Sequence, residues 1–168
     1  MIKQITPFLF VLAVAGCNGD PDKPVTTTPS TVPPASTGRQ IPLSQYDKAQ
    51  ISVNGFEIDA YVADEQAERA EGLMFVKAGE LRDNEGMIFV FSTAAPLSFW
   101  MENTLIPLDI AYLDDKGKIL NIRQMQPLDR SPQPSSGAAM YAVETNVGWF
   151  ERNKVKAGDK FDLSKVLE

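Results

Sequence analysis

Cys17 is the only cysteine in the 168 residues, so no internal disulfide can brace the fold, and whatever folds must stand on its apolar core. The chain also has no histidine. That removes His-based zinc sites, Ser-His-Asp and Cys-His catalysis, and the usual proton shuttle near pH 7. The net charge is −6, with Lys and Arg scattered among Asp and Glu. The basic footprint of a nucleic-acid-binding chain is absent, so no nucleic-acid partner is expected.

The position of Cys17 carries a second inference. Lys3 supplies one early positive charge, residues 5–14 form a short apolar run, and Ala15 and Gly16 are small. A transmembrane helix needs roughly 20 apolar residues, whereas this run contains Pro7 and ends at Cys17-Asn18-Gly19-Asp20. It reads as an export signal that is removed. Val14-Ala15-Gly16-Cys17 resembles the lipobox of bacterial lipoproteins, which implies a signal peptide over 1–16 and a diacylglycerol-modified Cys17 as the first mature residue. Two or three acyl chains anchor firmly, because each buried methylene contributes on the order of 0.8 kcal/mol. The expected partner at this end is therefore membrane lipid through Cys17, and the expected location is the periplasm or the outer face of the cell membrane.

Residues 17–44 are dominated by Pro, Thr and Ser. Such a stretch has too little apolar area to offset its ordering entropy and reads as a disordered tether that stands the rest off the membrane. Residues 45–168 are long enough for one core and form the domain.

Within the domain β patterns dominate. Ile51-Ser52-Val53 and residues 56–62 alternate around Asn54-Gly55, the strongest short hairpin pattern. Asp64 is placed to cap a short helix over 65–71 that closes at Gly72. Residues 77–85 read as a polar connection anchored by Leu81, and Met87-Ile88-Phe89-Val90-Phe91 as a strand covered on both faces. Residues 92–96 read as a turn, after which 97–101 resume an apolar run. Residues 108–113 and 118–122 flank a hairpin turn at 114–117. Residues 124–137, with three prolines, read as a long surface loop. Residues 138–144 give a further strand, 147–151 a short helix or turn, and 155–163 a reverse turn into a last edge strand. The expected fold class is mainly β, a compact barrel-like or sandwich domain with one or two short helices.

The string Phe99-Trp100-Met101-Glu102-Asn103-Thr104-Leu105-Ile106-Pro107-Leu108-Asp109-Ile110 resembles the bacterial and archaeal DUF192 family of uncharacterised domains. Gly72-Leu73-Met74, Leu81, residues 86–91, Gly117 with Ile119, Tyr141-Ala142-Val143-Glu144 with Gly148, and Gly158-Asp159 extend the resemblance over 53–163. It implies a compact, mostly β domain often found behind an export signal; it implies no reaction. Two positions depart from the family pattern. Glu102 stands where a basic residue is usual, and Val76 lies near where an Arg often follows Gly-Leu-Met.

Trp100, Asn103, Thr104, Asp109 and Glu144 form the candidate ligand-binding set. Asn and Thr both donate and accept hydrogen bonds, and paired acids can move protons. The alternative bland role for Asn103, Thr104 and Asp109 is to satisfy backbone groups in a tight loop. An envelope protein, a peptide or a small ligand is the expected partner of such a face, in a non-enzymatic accessory or binding protein. The competing reading is a carboxylate-based or metal-dependent hydrolase that uses Asp109 and Glu144. Phe99, Trp100, Tyr141, Trp149 and Phe150 are candidates to line a groove. Met74, Met87, Met101, Met125 and Met140 offer soft thioethers to copper(I), but their apolar surroundings favour core filling. No phosphate-binding or dinucleotide-binding glycine motif, Cys-x-x-Cys or calcium loop is present, and the residues imply no cofactor and no metal.

Overall fold

The computed structural model describes residues 38–166. The expected signal peptide, Cys17 and the tether up to residue 37 lie outside the described residues.

Seven strands form one sheet: β1 (Lys48–Val53), β2 (Phe56–Ala63), β3 (Glu85–Phe99), β4 (Leu108–Leu113), β5 (Ile119–Met125), β6 (Gln133–Asn146) and β7 (Phe161–Asp162). Their order across the sheet is β5-β4-β6-β3-β2-β1-β7, and the sheet curls into a half barrel. Helices α1 (Gln66–Glu71) and α2 (Trp149–Arg152) are short. The fold is mainly β, as the alternation patterns predict.

The β1–β2 hairpin closes through Asn54 and Gly55 at φ 52° and 84°, both in the left-handed region that a two-residue turn of this hand requires. β2 and β3 then pair in parallel, Tyr61 opposite Met87, and a parallel pair needs a crossover. The segment carrying α1 provides it. The cap of α1 is Glu65 rather than Asp64: the Glu65 and Glu68 side chains close a reciprocal capping box. Gly72 ends α1 at φ 51°, and a Cβ there would stand 3.2 Å from the Phe89 ring.

Two further expectations are corrected. Residues 92–96 do not turn the chain, because β3 runs unbroken from Glu85 to Phe99 with register shifts between Val90 and Ala95 and between Pro96 and Ser98. Nor is 124–137 one long loop: β5 continues to Met125 and β6 begins at Gln133, where it pairs with Phe99. Pro134 sits on this pairing, exposed, at a place where the missing N–H costs no central ladder bond.

Each face of the sheet carries an apolar layer. One contains Met87, Phe89, Met101, Ile106, Leu108, Ile110 and Tyr112. The other contains Ile51, Ile58, Ile88, Val143, Trp149, Phe150 and Phe161. The alternation of Met87 and Phe89 with Ile88 places one strand between both layers, as its continuous apolar run predicts. Residues 38–44, assigned by composition to the tether, are held against the domain. The Arg39 guanidinium donates to the carbonyl oxygens of Gly72 at 2.9 Å and Met74 at 2.7 Å, and the Ile41 N–H donates to Glu71 at 2.8 Å.

At the start of β3, Glu85 is 3% exposed yet charged. Arg82 Nη2 at 2.7 Å and Lys48 Nζ at 2.8 Å donate to the same oxygen, and the Arg82 N–H reaches the other. Arg82, then Lys48, hold its pKa down at about 2 against the opposing effect of burial. This cluster fastens β1 and the crossover to the start of β3.

Candidate functional site

α1 and its end, β3 from Phe89 to Phe99, the loop after it and β6 border an open cavity of about 400 Å³. The size is that of a small-molecule site. Phe89 and Phe99 meet edge to face at 4.8 Å, and Phe99 continues the stack to Tyr112 at 5.8 Å. These rings make one wall stiff. Gly72 and Leu73 also line it, and the close approach of Gly72 to the Phe89 ring explains why a residue without Cβ stands at 72. Trp100 also lines the cavity and is 54% exposed.

Glu144 lines the same cavity and is 4% exposed. Its register partners are Met87 on β3 and Ile110 on β4, so its neighbours on the sheet are apolar. Among the described residues no hydrogen bond or ion pair reaches its carboxyl group. Burial alone pushes its pKa up to about 8, because the charged form loses hydration and gains nothing in return. At neutral pH the group is chiefly a carboxylic acid, a hydrogen-bond donor facing into an apolar space. Tyr112, on the same face, is raised above the ordinary phenol range by burial and then by Glu144; its hydroxyl donates to the Gln133 carbonyl.

The five candidate residues divide. Trp100, Thr104 and Glu144 share the cavity. Thr104 is buried, its amide bonds the Met101 carbonyl at 3.1 Å, and its own carbonyl accepts from the Leu128 N–H at 3.1 Å. Asn103 lies in an adjoining hollow beside Ile41, Met74 and Phe75. It takes a left-handed turn at φ 56°, and its carbonyl accepts the Phe75 N–H at 2.8 Å. Asp109 is on the opposite face of the sheet. Its neighbour Ile110 is the residue paired with Glu144, while Asp109 itself pairs with Thr145. Its Oδ2 accepts from the Gly148 N–H at 2.8 Å, at the residue that caps α2. Burial raises the Asp109 pKa, and the bonds from Gly148, Gln124 and Phe150 work against that rise. Asp109 and Glu144 therefore cannot act on one bond, and the hydrolase reading that joins them has no common site.

The aromatic set divides in the same way. Phe99 and Trp100 line the cavity, whereas Tyr141, Trp149 and Phe150 belong to the apolar layer on the other face. Met87, Met101 and Met125 are buried core residues. Among the described residues no cluster of three or more His, Cys, Asp or Glu is placed to hold a metal ion, and no helix is long and apolar enough to cross a membrane. The two departures from the family pattern have separate explanations. Glu102 pairs with Arg130 at 2.7 Å on the surface, and Val76 is fully buried in the core.

Sequence reasoning did not place Arg69, Gly72, Leu73, Phe89 and Phe91 at a site. Period two does put Phe89 and Phe91 on one face of β3. That this face also carries Glu144 depends on the β3–β6 register, which no local pattern supplies.

The family model DUF192, described as Uncharacterized ACR, matches residues 49–163. The chain is similar to a solved protein of unknown function from Novosphingobium aromaticivorans, with 34% identity over 76% of this chain and 94% of that one and a TM-score of 0.68. It is also similar to a solved protein from Sinorhizobium meliloti described as a candidate transcription regulator, with 26% identity over 70% of this chain and 94% of that one and a TM-score of 0.66. No curated protein matches it.

Proposed function

Because the chain belongs to the DUF192 family, whose description names no reaction, we propose a function from the site itself: a non-enzymatic binding protein of the cell envelope that holds a small ligand in the Glu144 cavity. The observation that carries this reading is the Glu144 carboxyl, which borders a space of about 400 Å³ on a residue only 4% exposed and which no hydrogen bond or ion pair from the described residues reaches. Native proteins pair nearly all their buried polar groups, so a carboxyl left without a partner beside an open volume marks the place where a partner is supplied from outside. Trp100 fits the same role, since exposing a large indole at a cavity mouth costs hydration that ligand contact recovers.

The envelope address rests on Cys17. The lipobox and the Pro-, Thr- and Ser-rich stretch after it support a domain tethered to a bacterial membrane by lipid. A regulator that binds DNA is not supported: a net charge of −6 with interspersed cations gives phosphates no attractive face.

The test is to recover the full chain from its native envelope, denature it and analyse the released small molecules by mass spectrometry, beside a variant whose cavity is filled by Leu73→Trp. A compound carried by the wild type and missing from the folded variant is the expected result. Equal small-molecule content in both would remove the cavity from the function.

A further inference from the structure

Resting on that reading of the cavity, we infer that its ligand is an organic cation with an apolar body, an amine or alkylated ammonium whose charge meets Glu144 and whose body lies against Phe89, Phe91, Phe99 and Trp100. Four aromatic side chains and one unpaired carboxyl line this space. Ring faces carry negative potential and attract cations, and several rings around one volume add their effects in desolvated surroundings. The cavity shows this preference internally: the Arg69 guanidinium lies over the Phe91 ring, 5.4 Å from its centre. Arg69 does not serve as the partner of Glu144, since its Nη1 is held by the carbonyl oxygens of Asp64 and Val90. An anionic ligand would take only a neutral donor's hydrogen bond from the protonated Glu144 and would lie against the negative faces of the rings, with the Arg69 guanidinium already bonded to the Asp64 and Val90 carbonyl oxygens. A neutral acceptor would take one hydrogen bond from the carboxyl and leave the ring faces without a charge to attract. A cation uses both, and a charge-assisted bond is roughly twice as strong as a neutral one.

The binding equilibrium then includes a proton. With its pKa pushed to about 8 by burial, Glu144 is protonated at neutral pH, and pairing with a cation requires the carboxylate. An ammonium that enters must expel the Glu144 proton to solvent, and the ligand keeps its own. The other charged or titratable groups packed around Glu144 are few. β4 contributes Tyr112, raised and bonded to Gln133. α1 contributes Arg69, held as above, and Glu71, paired with Arg39 and bonded by the Ile41 N–H. β3 contributes apolar side chains.

The experiment uses the full chain and three probes matched in shape: 2-phenylethylamine, 2-phenylethanol and 3-phenylpropanoate. Affinity is read by NMR titration, and proton release by calorimetry in buffers of different ionisation enthalpy. The amine is expected to bind at least about tenfold more tightly than the alcohol and to release up to one proton at neutral pH. Below the Glu144 pKa its affinity should rise about tenfold per pH unit, because the carboxylate fraction does. Glu144→Gln should cut amine affinity about tenfold or more and change alcohol affinity less than about twofold. Alcohol binding as tight as amine binding, or amine binding indifferent to Glu144→Gln, would overturn the cation inference and leave the cavity as a binding site. Failure of all three probes to bind more tightly than about 10 mM, the weak limit for ligands of this size, would overturn both readings.

Discussion

A carboxylic acid that holds its proton inside the folded chain and loses it in the unfolded one makes stability depend on pH. For Glu144 the ordinary value is 4.5 and the folded value about 8. Below pH 4.5 both states are protonated and the contribution of the group is fully present. As pH rises towards 8 the unfolded state releases the proton and the folded state does not, so stability falls, by up to about 1.4 kcal/mol per pH unit, until the folded carboxyl ionises too. The amide of Glu144→Gln does not titrate. In urea titrations at about pH 5 and pH 8, the wild type should lose more stability across the interval than the variant, by about 2–4 kcal/mol for so large a shift. Parallel losses in the two proteins would mean that Glu144 is ionised in the folded chain and that its cavity is wetter than its burial indicates. The sequence names this residue through Tyr141-Ala142-Val143-Glu144 but not its state. A Glu that ends an apolar strand reads equally well as a surface residue, and only the sheet register that sets Met87 and Ile110 beside it removes it from water.

At the scale of elements, the site depends on how closely β3 approaches β6. Gly86 is the position where that approach is tightest: a Cβ there would run into the backbone carbonyl of Glu144 and stand 3.2 Å from an Ile58 methyl. Backbone cannot yield as a flexible side chain can. Gly86→Ala should destabilise the domain by about 1–3 kcal/mol, the usual cost of overpacking, and should shift the Glu144 amide resonance. Gly137→Ala, whose added methyl would meet nothing nearer than Leu120 at 3.9 Å, serves as the control with little effect on either. An unchanged unfolding midpoint in Gly86→Ala would show that the two strands separate more easily than their pairing implies. The elements legible in the sequence are those whose cause is local. Asn54-Gly55 specifies its own hairpin, the 108–113 and 118–122 patterns frame a short turn, and 87–91 is apolar on both faces because both faces are covered. The far halves of β3 and β6 are illegible for the opposite reason. Residues 92–98 and 133–138 carry exposed small residues and prolines, a composition that suits loops. They are strands only because each supplies the other with ladder partners across a shifted register. The same limit separates Asp109 from Glu144: one residue of register decides which face each side chain takes, and that residue is counted between strands far apart in the chain.

For the whole molecule the question is whether the domain described over 38–166 depends on the lipid attachment proposed at Cys17. Arg39 bonds the carbonyl oxygens of Gly72 and Met74, the strand-side end of α1 and a neighbour of the cavity wall. The first described residues therefore lie on the side of the domain where the cavity is built. The two apolar layers of the core lie entirely within the described residues, so the anchor and the fold should be separable by mutation. Cys17→Ser is expected to abolish incorporation of labelled fatty acid and to move the protein from the membrane fraction to the soluble one. Its thermal midpoint and its affinity for a cavity ligand should stay those of the wild type. Labelling that persists in Cys17→Ser would refute Cys17 as the attachment site. Release accompanied by loss of ligand affinity would instead show that the membrane takes part in binding, and the cavity would then have to be understood as opening towards lipid rather than towards water.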